Sequence, residues 1–344
     1  MNSNEKFEEV YSRIIENNKE LEKYRIKAKN EKIKTWILRI IFYSIGVILI
    51  PILNEMFHEP FKITFEIVAT YWTTILSIDL VFWLTKEIRK TEIKEYKYEF
   101  QRIIKELLDS FEEKLNYSPK GDRKILNISY RDAKFQANEW RIWKCEDLIE
   151  GTLRNGSDFS MADIMTKYES NASETVDVEE LDEISHLVQG EGWGAFNGIF
   201  AMAQLPKSIN TQLYIRVDMK DQKSVLARKI NPPFEDSLRV EVDSPEFEKI
   251  FDVYCTDKII AMQLLTSDIM ELLVDFKKEI KMDYEITIKD DMLYIRFMSG
   301  KTFEPANVMK NSLDKSTLYK YYRILELTFE LTNKLIKIIK EMEE

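Results

Sequence analysis

The stretch QGEGWGAFNGIF, residues 189–200, holds four of the nine glycines in this 344-residue chain. Spaced glycines can bring backbone N–H groups onto a phosphate, provided a helix N-terminus follows and a Lys or Ser/Thr completes the loop. Here a strand-like run, Ala195–Ala203, follows; no cation occurs before Lys207, and Glu191 would repel an anion. The glycines therefore read as a turn out of an acidic segment, with Gly198 a bulge or close-contact position inside a strand. The acidic run of Asp177, Glu179, Glu180, Asp182 and Glu183 could offer oxygens to a divalent cation. It lacks the spacing and glycine of a calcium loop and reads as a solvated face or linker. With two histidines (His58, His186) and two cysteines (Cys145, Cys255), the chain has little material for a thiolate–imidazole zinc site or a disulfide framework. No phosphate-loop, zincin or nucleophile-elbow motif occurs. No catalytic residue, metal ligand or cofactor is expected.

What must be positioned is therefore a surface, and the charge pattern says where it lies. The net charge of −10 falls entirely in residues 118–344, since residues 1–117 carry equal numbers of acidic and basic groups. That acidic part is a poor partner for nucleic acid, which needs clustered cations. Two apolar runs stand out, Trp36–Phe57 and Ile63–Thr85. Nine Lys/Arg precede them in residues 1–35, none lies in the connector Asn54–Phe61, and seven follow in residues 86–105. Such a bias predicts a transmembrane hairpin in the cytoplasmic (inner) membrane with both termini cytoplasmic and the bilayer as partner. Arg39, Glu66 and Asp79 are then a candidate membrane-polar site, because charges in a span are costly and face a partner helix, a pore or the headgroups.

Heptad-like seams flank these runs. Phe7, Val10, Ile14, Leu21, Tyr24 and Ala28 form one; Tyr96, Phe100, Ile103, Leu107, Phe111 and Leu115 form the other. The expected order is an amphipathic helix (1–35), span 1 (36–57), a short outer loop (58–62), span 2 (63–85) and a stalk helix (86–117) stopped by Pro119 and Gly121. An α+β domain (118–310) and a C-terminal helix (311–344) follow. In the domain, strands are expected at Ile125–Tyr130, Ile142–Leu153, Ser160–Tyr168, Ala195–Ala203, Gln212–Val217, Leu238–Val242 and Phe251–Tyr254. A hairpin around Asp290-Asp291 joins Tyr284–Ile288 to Leu293–Met298, and Thr302–Glu304 extends the sheet. Ser244 and Pro245 open a helix, residues 257–275 form another, and Asp257 caps it. Runs of strands with late helices predict an antiparallel sheet with packed helices.

The segment DSPEFEKIFDVYCTDKIIAMQLLTSDIMELLVDF (243–276), with MLYIRF (292–297), FEP (303–305), WKCEDLIEGTL (143–153) and WGAFNGIF (193–200), resembles the bacterial domain-of-unknown-function family 3137. The resemblance spans roughly residues 85–330. It implies a bacterial, membrane-anchored protein and no assigned reaction. It draws attention to Tyr254, Asp257 and Trp193 as a candidate ligand or partner surface.

Three functions are open at this stage. A membrane-anchored binding or scaffold module, with a protein partner, needs no cluster of reactive groups. An oligomeric membrane effector or channel-like assembly would self-associate through stalk and spans, with Asp79, Thr73, Thr74 and Ser77 on a polar face. A metal-dependent hydrolase would need tight divalent-cation binding.

Overall fold

The computed structural model describes residues 3–56, 86–111, 113–135, 140–168, 196–217, 238–300, 302–303 and 313–342. The chain divides into two compact units, Met1–Ile103 with Glu304–Lys315, and Ile104–Phe303 with Ser316–Glu344.

In the first unit, α1 (Ser3–Asn17) and α2 (Leu21–Met56) precede α3 (Lys86–Asp109), which runs on into the second unit. A break at Asn18 separates α1 from α2; Asn18 turns its side chain back onto the Ile14 carbonyl at 2.9 Å, competing with helix continuation. The seams anticipated from periodicity are buried at Phe7, Val10, Ile14, Leu21 and Ala28 on one side, and at Tyr96, Phe100, Ile103 and Leu107 on the other. Lys27 meets Glu95 at 3.4 Å across α2 and α3. Phe7 stacks on Tyr11, whose hydroxyl donates to the Leu313 carbonyl at 3.0 Å.

The expected transmembrane hairpin is overturned. Among the described residues no helix is long and apolar enough to cross a membrane. The reason is visible in α2. Its apolar stretch runs only from Ile40 to Leu53, with Arg39 before it and Asn54 and Glu55 after it. At 1.5 Å per residue it reaches roughly 21 Å, against about 30 Å of hydrocarbon. The rest of α2 is the charged segment before Trp36. The second run, 63–85, with Glu66 and Asp79, lies outside the described residues. The inner-membrane placement inferred from the Lys/Arg bias falls with the hairpin, because that bias orients spans and does not create them.

The second unit is α+β, built on one antiparallel sheet of order β1-β2-β3-β4-β9-β8-β5-β7-β6. Its strands are β1 (Lys114–Lys120), β2 (Trp140–Thr152), β3 (Asp158–Tyr168), β4 (Asn197–Gln204), β5 (Gln212–Val217), β6 (Leu238–Val240), β7 (Phe251–Cys255), β8 (Tyr284–Lys289) and β9 (Met292–Phe297). Short helices α4 (Arg123–Asp132), α5 (Pro245–Glu248) and α6 (Lys258–Leu264) intervene, with α7 (Ser267–Ile280) and the long α8 (Lys315–Glu341) late in the chain.

Three local expectations fail for physical reasons. The stalk helix ends at Asp109, and residues 114–120 form β1, paired with β2 from Lys114↔Thr152 to Lys120↔Glu146. Pro119 is tolerated because β1 is an edge strand. Ile125–Tyr130 is helical: Asp122 caps α4 by accepting from Lys124 N at 2.8 Å, and Leu126, Tyr130 and Ala133 bury one helical face. Thr302 and Phe303 do not continue the sheet. Their amides donate to Asp163 Oδ2 at 2.8 and 3.1 Å.

Alternation along the strands makes two faces. Tyr284, Ile286, Leu293, Ile295 and Phe297 point toward the α7/α8 side. There Phe276 meets Tyr284 at 5.4 Å and Phe297 at 6.0 Å, and Phe159 meets Phe329 at 5.2 Å. The anticipated stripe of α8 (Tyr322, Leu325, Phe329, Leu335, Ile336 and Ile339) is buried throughout. The opposite face, covered in part by α4, carries the candidate site.

Candidate functional site

Five neighbouring strands each place one charge among apolar residues on the α4 face: Arg296 in LYIRF, Glu285 in YEITI, Arg216 in LYIRV, Asp252 in FDVYC and Arg239 in LRV. Register puts them side by side. Glu285 pairs with Arg296 across β8 and β9, and Arg216 with Asp252 across β5 and β7. Ile215 pairs with Ile286, which sets Arg216 beside Glu285 on the next position. Arg239 stands one step diagonally from Asp252 and bonds it at 2.9 Å. The result is a ladder of alternating sign across β9-β8-β5-β7-β6, ending in arginine on both sides.

The inner end is sealed. Arg296 donates from Nε to Glu285 Oε2 at 2.6 Å and from Nη1 to the Tyr130 hydroxyl at 3.2 Å. Its guanidinium lies 5.0 Å from the Phe135 ring centroid and 5.3 Å from that of Phe196. Burial opposes its charged form, but Glu285 and the Tyr130 and Tyr214 hydroxyls outweigh that and raise its pKa above the ordinary arginine value. Burial raises the Tyr130 phenol to about 12, opposed by Arg296. Tyr214 is raised well above the ordinary phenol by burial first, then by Glu285, which accepts its hydroxyl. Phe200, Phe135 and Phe196 pack around Tyr130, and Thr287 donates to the Ala133 carbonyl at 2.7 Å. A buried pair this well enclosed holds the sheet to α4 and has no freedom to react.

The outer end opens toward solvent. Arg216 donates from Nη2 to the Tyr254 hydroxyl at 2.8 Å, its guanidinium carbon 4.8 Å from the Tyr254 ring centroid. Arg216 Nε and Nη1 are shielded from water and, among the described residues, have no hydrogen-bond acceptor. Tyr254 is half-buried, and the Arg239 side chain is 44 % exposed.

Of the described residues among those singled out from the sequence, Tyr254 alone joins this ladder. Asp257, three residues on, caps α6 by accepting from Ile259 N at 2.8 Å and Ile260 N at 3.3 Å, as its sequence position anticipates. Ser244 caps α5, ahead of Pro245 at its first position. Arg39 lies on α2, in the other unit. Trp193, Glu66, Asp79, His58, His186 and the 177–183 acidic run lie outside the described residues. Among the described residues no group of three or more His, Cys, Asp or Glu side chains could hold a metal ion. Cys145 is buried beneath Gly121, and burial raises its thiol to about 12. Gly198 sits in the regular β3/β4 register, where a Cβ would lie 2.1 Å from the Phe297 carbonyl oxygen, so close approach and not a bulge explains it.

The arginines and acids of the ladder were missed in the sequence because a single charge alternating with apolar residues reads as a solvated strand face. The usable signal was its recurrence, once on each of five short strands.

Comparison with known proteins adds a family and little else. No curated protein matches the chain. Among solved structures, the mycobacterial trehalose monomycolate transport factor A (TtfA) is similar at 11 % identity, over 66 % of this chain and 95 % of that one, with a TM-score of 0.32. That likeness is too slight to carry an argument. Residues 194–337 match the family described as "Protein of unknown function (DUF3137)". That stretch runs from β4 through most of α8 and contains all five strands of the charged ladder. Through it, residues 194–337 of this chain belong to the DUF3137 family.

Proposed function

We propose that this protein is a non-catalytic binding or scaffold module, and that it engages its partner or ligand at the outer end of the ladder, around Tyr254, Arg216 and Arg239. The carrying observation is the Arg216–Tyr254 pair. It is a cation stacked on an aromatic ring and held by a hydrogen bond, half-buried beside an exposed arginine. Tyr and Arg are the side chains that dominate binding energy when they are pre-positioned in this way. The titratable groups nearby support binding over reaction. Burial raises both Tyr130 and Tyr214, at the inner end of the ladder, Tyr130 to about 12, away from the neutral range that acid–base work requires.

The test is site-specific photo-crosslinking of the full chain in its own host, with a benzoyl-phenylalanine at position 254 and, as control, at the exposed position 337. A discrete adduct at 254 that is missing at 337 is the expected result. The same adduct pattern at both positions, or none at 254, would overturn the assignment of this surface.

A further inference from the structure

The ladder holds three arginines and two carboxylates, and both carboxylates are already engaged. Glu285 is bound by Arg296 on one side, and Asp252 by Arg239 on the other. The surplus positive charge therefore resides on Arg216. Its environment agrees: among the described residues Nε and Nη1, withdrawn from water, meet no acceptor, while Nη2 donates to the Tyr254 hydroxyl. A guanidinium that has lost its hydration without gaining acceptors is unfavourable, and proteins keep such groups where a partner supplies the missing oxygens. Arg216 in addition faces a ring and a hydroxyl, and the Tyr254 hydroxyl, which accepts from Arg216, is of a type that can also donate. Arg239, paired with Asp252, borders this group on the solvent side.

We propose that Arg216, Tyr254 and Arg239 form a binding site for an oxyanion, a carboxylate or a phosphate, carried by the ligand of this module. The site rests on the binding role given above and names its chemistry. Arg216 supplies the surplus charge and charge-assisted donors from Nε and Nη1, Tyr254 supplies a hydroxyl donor, and the exposed Arg239 borders the site on the solvent side. Asp252 tempers the field and stays neutralised by Arg239. The inner pair, Arg296 with Glu285, keeps the sheet rigid beneath the site and takes no part in binding.

The experiment is an NMR titration of the full chain, labelled with 15N-arginine, following the Nε–H signals. Inorganic phosphate, acetate and chloride are added separately at matched ionic strength. One Nε–H signal, missing in Arg216→Lys, is expected to shift saturably with phosphate or acetate and not with chloride. Whichever of the two acts at lower concentration identifies phosphate or carboxylate as the natural group. Tyr254→Phe, which keeps the ring, is expected to weaken the response several-fold. An unfolding midpoint close to wild type confirms that each variant is folded. Absence of any saturable shift, equal shifts with chloride, or a shift surviving in Arg216→Lys overturns the site; the first is also the result if a carboxylate of this chain already occupies Arg216. A position-254 adduct without an anion response removes the oxyanion and leaves the binding module standing. An anion response without an adduct removes the module and leaves the oxyanion site.

Discussion

Arg296 Nε and Glu285 Oε2 lie 2.6 Å apart, both residues are buried, and the Arg296 guanidinium lies against the Phe135 and Phe196 rings. The pair ties β8 to β9 and, through Tyr130, the sheet to α4.

Removing one member of this pair strands the other in a low dielectric. Glu285→Ala is expected to destabilise the protein by about 3–5 kcal/mol, measured by urea unfolding. The double change Glu285→Leu with Arg296→Met should cost clearly less than the sum of the two single changes, because no charge is left unpaired. A single-mutant cost below about 1 kcal/mol would show that the pair is solvated.

Alkaline pH should unfold the protein over a defined window. Burial raises Cys145 from 9.0 to about 12, and burial, opposed by Arg296, raises Tyr130 from 10.0 to about 12. Both pKa values are higher folded than unfolded. The stability they contribute is complete below pH 9 and is lost as pH rises toward 12, since the unfolded chain releases these protons first. Urea midpoints measured at increasing pH are expected to fall across that window. Native Cys145 should also resist thiol reagents at pH 8 and react once the chain is unfolded.

Gly198→Ala places a methyl group 2.1 Å from the Phe297 carbonyl oxygen and 3.1 Å from Ser299 N. Those are backbone atoms of the neighbouring strand and its exit, which cannot rotate away. A loss of about 1–3 kcal/mol is expected in thermal or denaturant unfolding. An unchanged midpoint would mean that β4 and β9 separate more easily than their register implies.

Asp257→Ala removes the acceptor for two amides at the start of α6 and should cost about 1 kcal/mol, with Asp257→Ser or →Asn restoring most of it. The position-254 adduct should be unaffected. An adduct lost in all three variants, with stability intact, would place Asp257 in the ligand surface instead.

Much of this architecture was legible in local sequence. Period-2 alternation located β2 to β5 and β7 to β9, since each strand presents one apolar face to a core. Helical period marked the buried stripe of α8, and cap chemistry at Ser244 and Asp257 needed only neighbouring amides. Local reading failed where two periods fit one segment. Residues 125–130 alternate like a strand, yet Asp122 starts a helix there, and the apolar run in α2 has a membrane-like composition without membrane length. The ladder was beyond local reading altogether. Arg296, Glu285, Arg216, Asp252 and Arg239 come from strands as far apart in the chain as residues 212 and 297, in an order that follows the sheet and not the sequence. Each charge was determined by its own strand; its partner was decided by which strand lay next to it, because ion pairing depends on a few ångströms of separation that only strand order and register set.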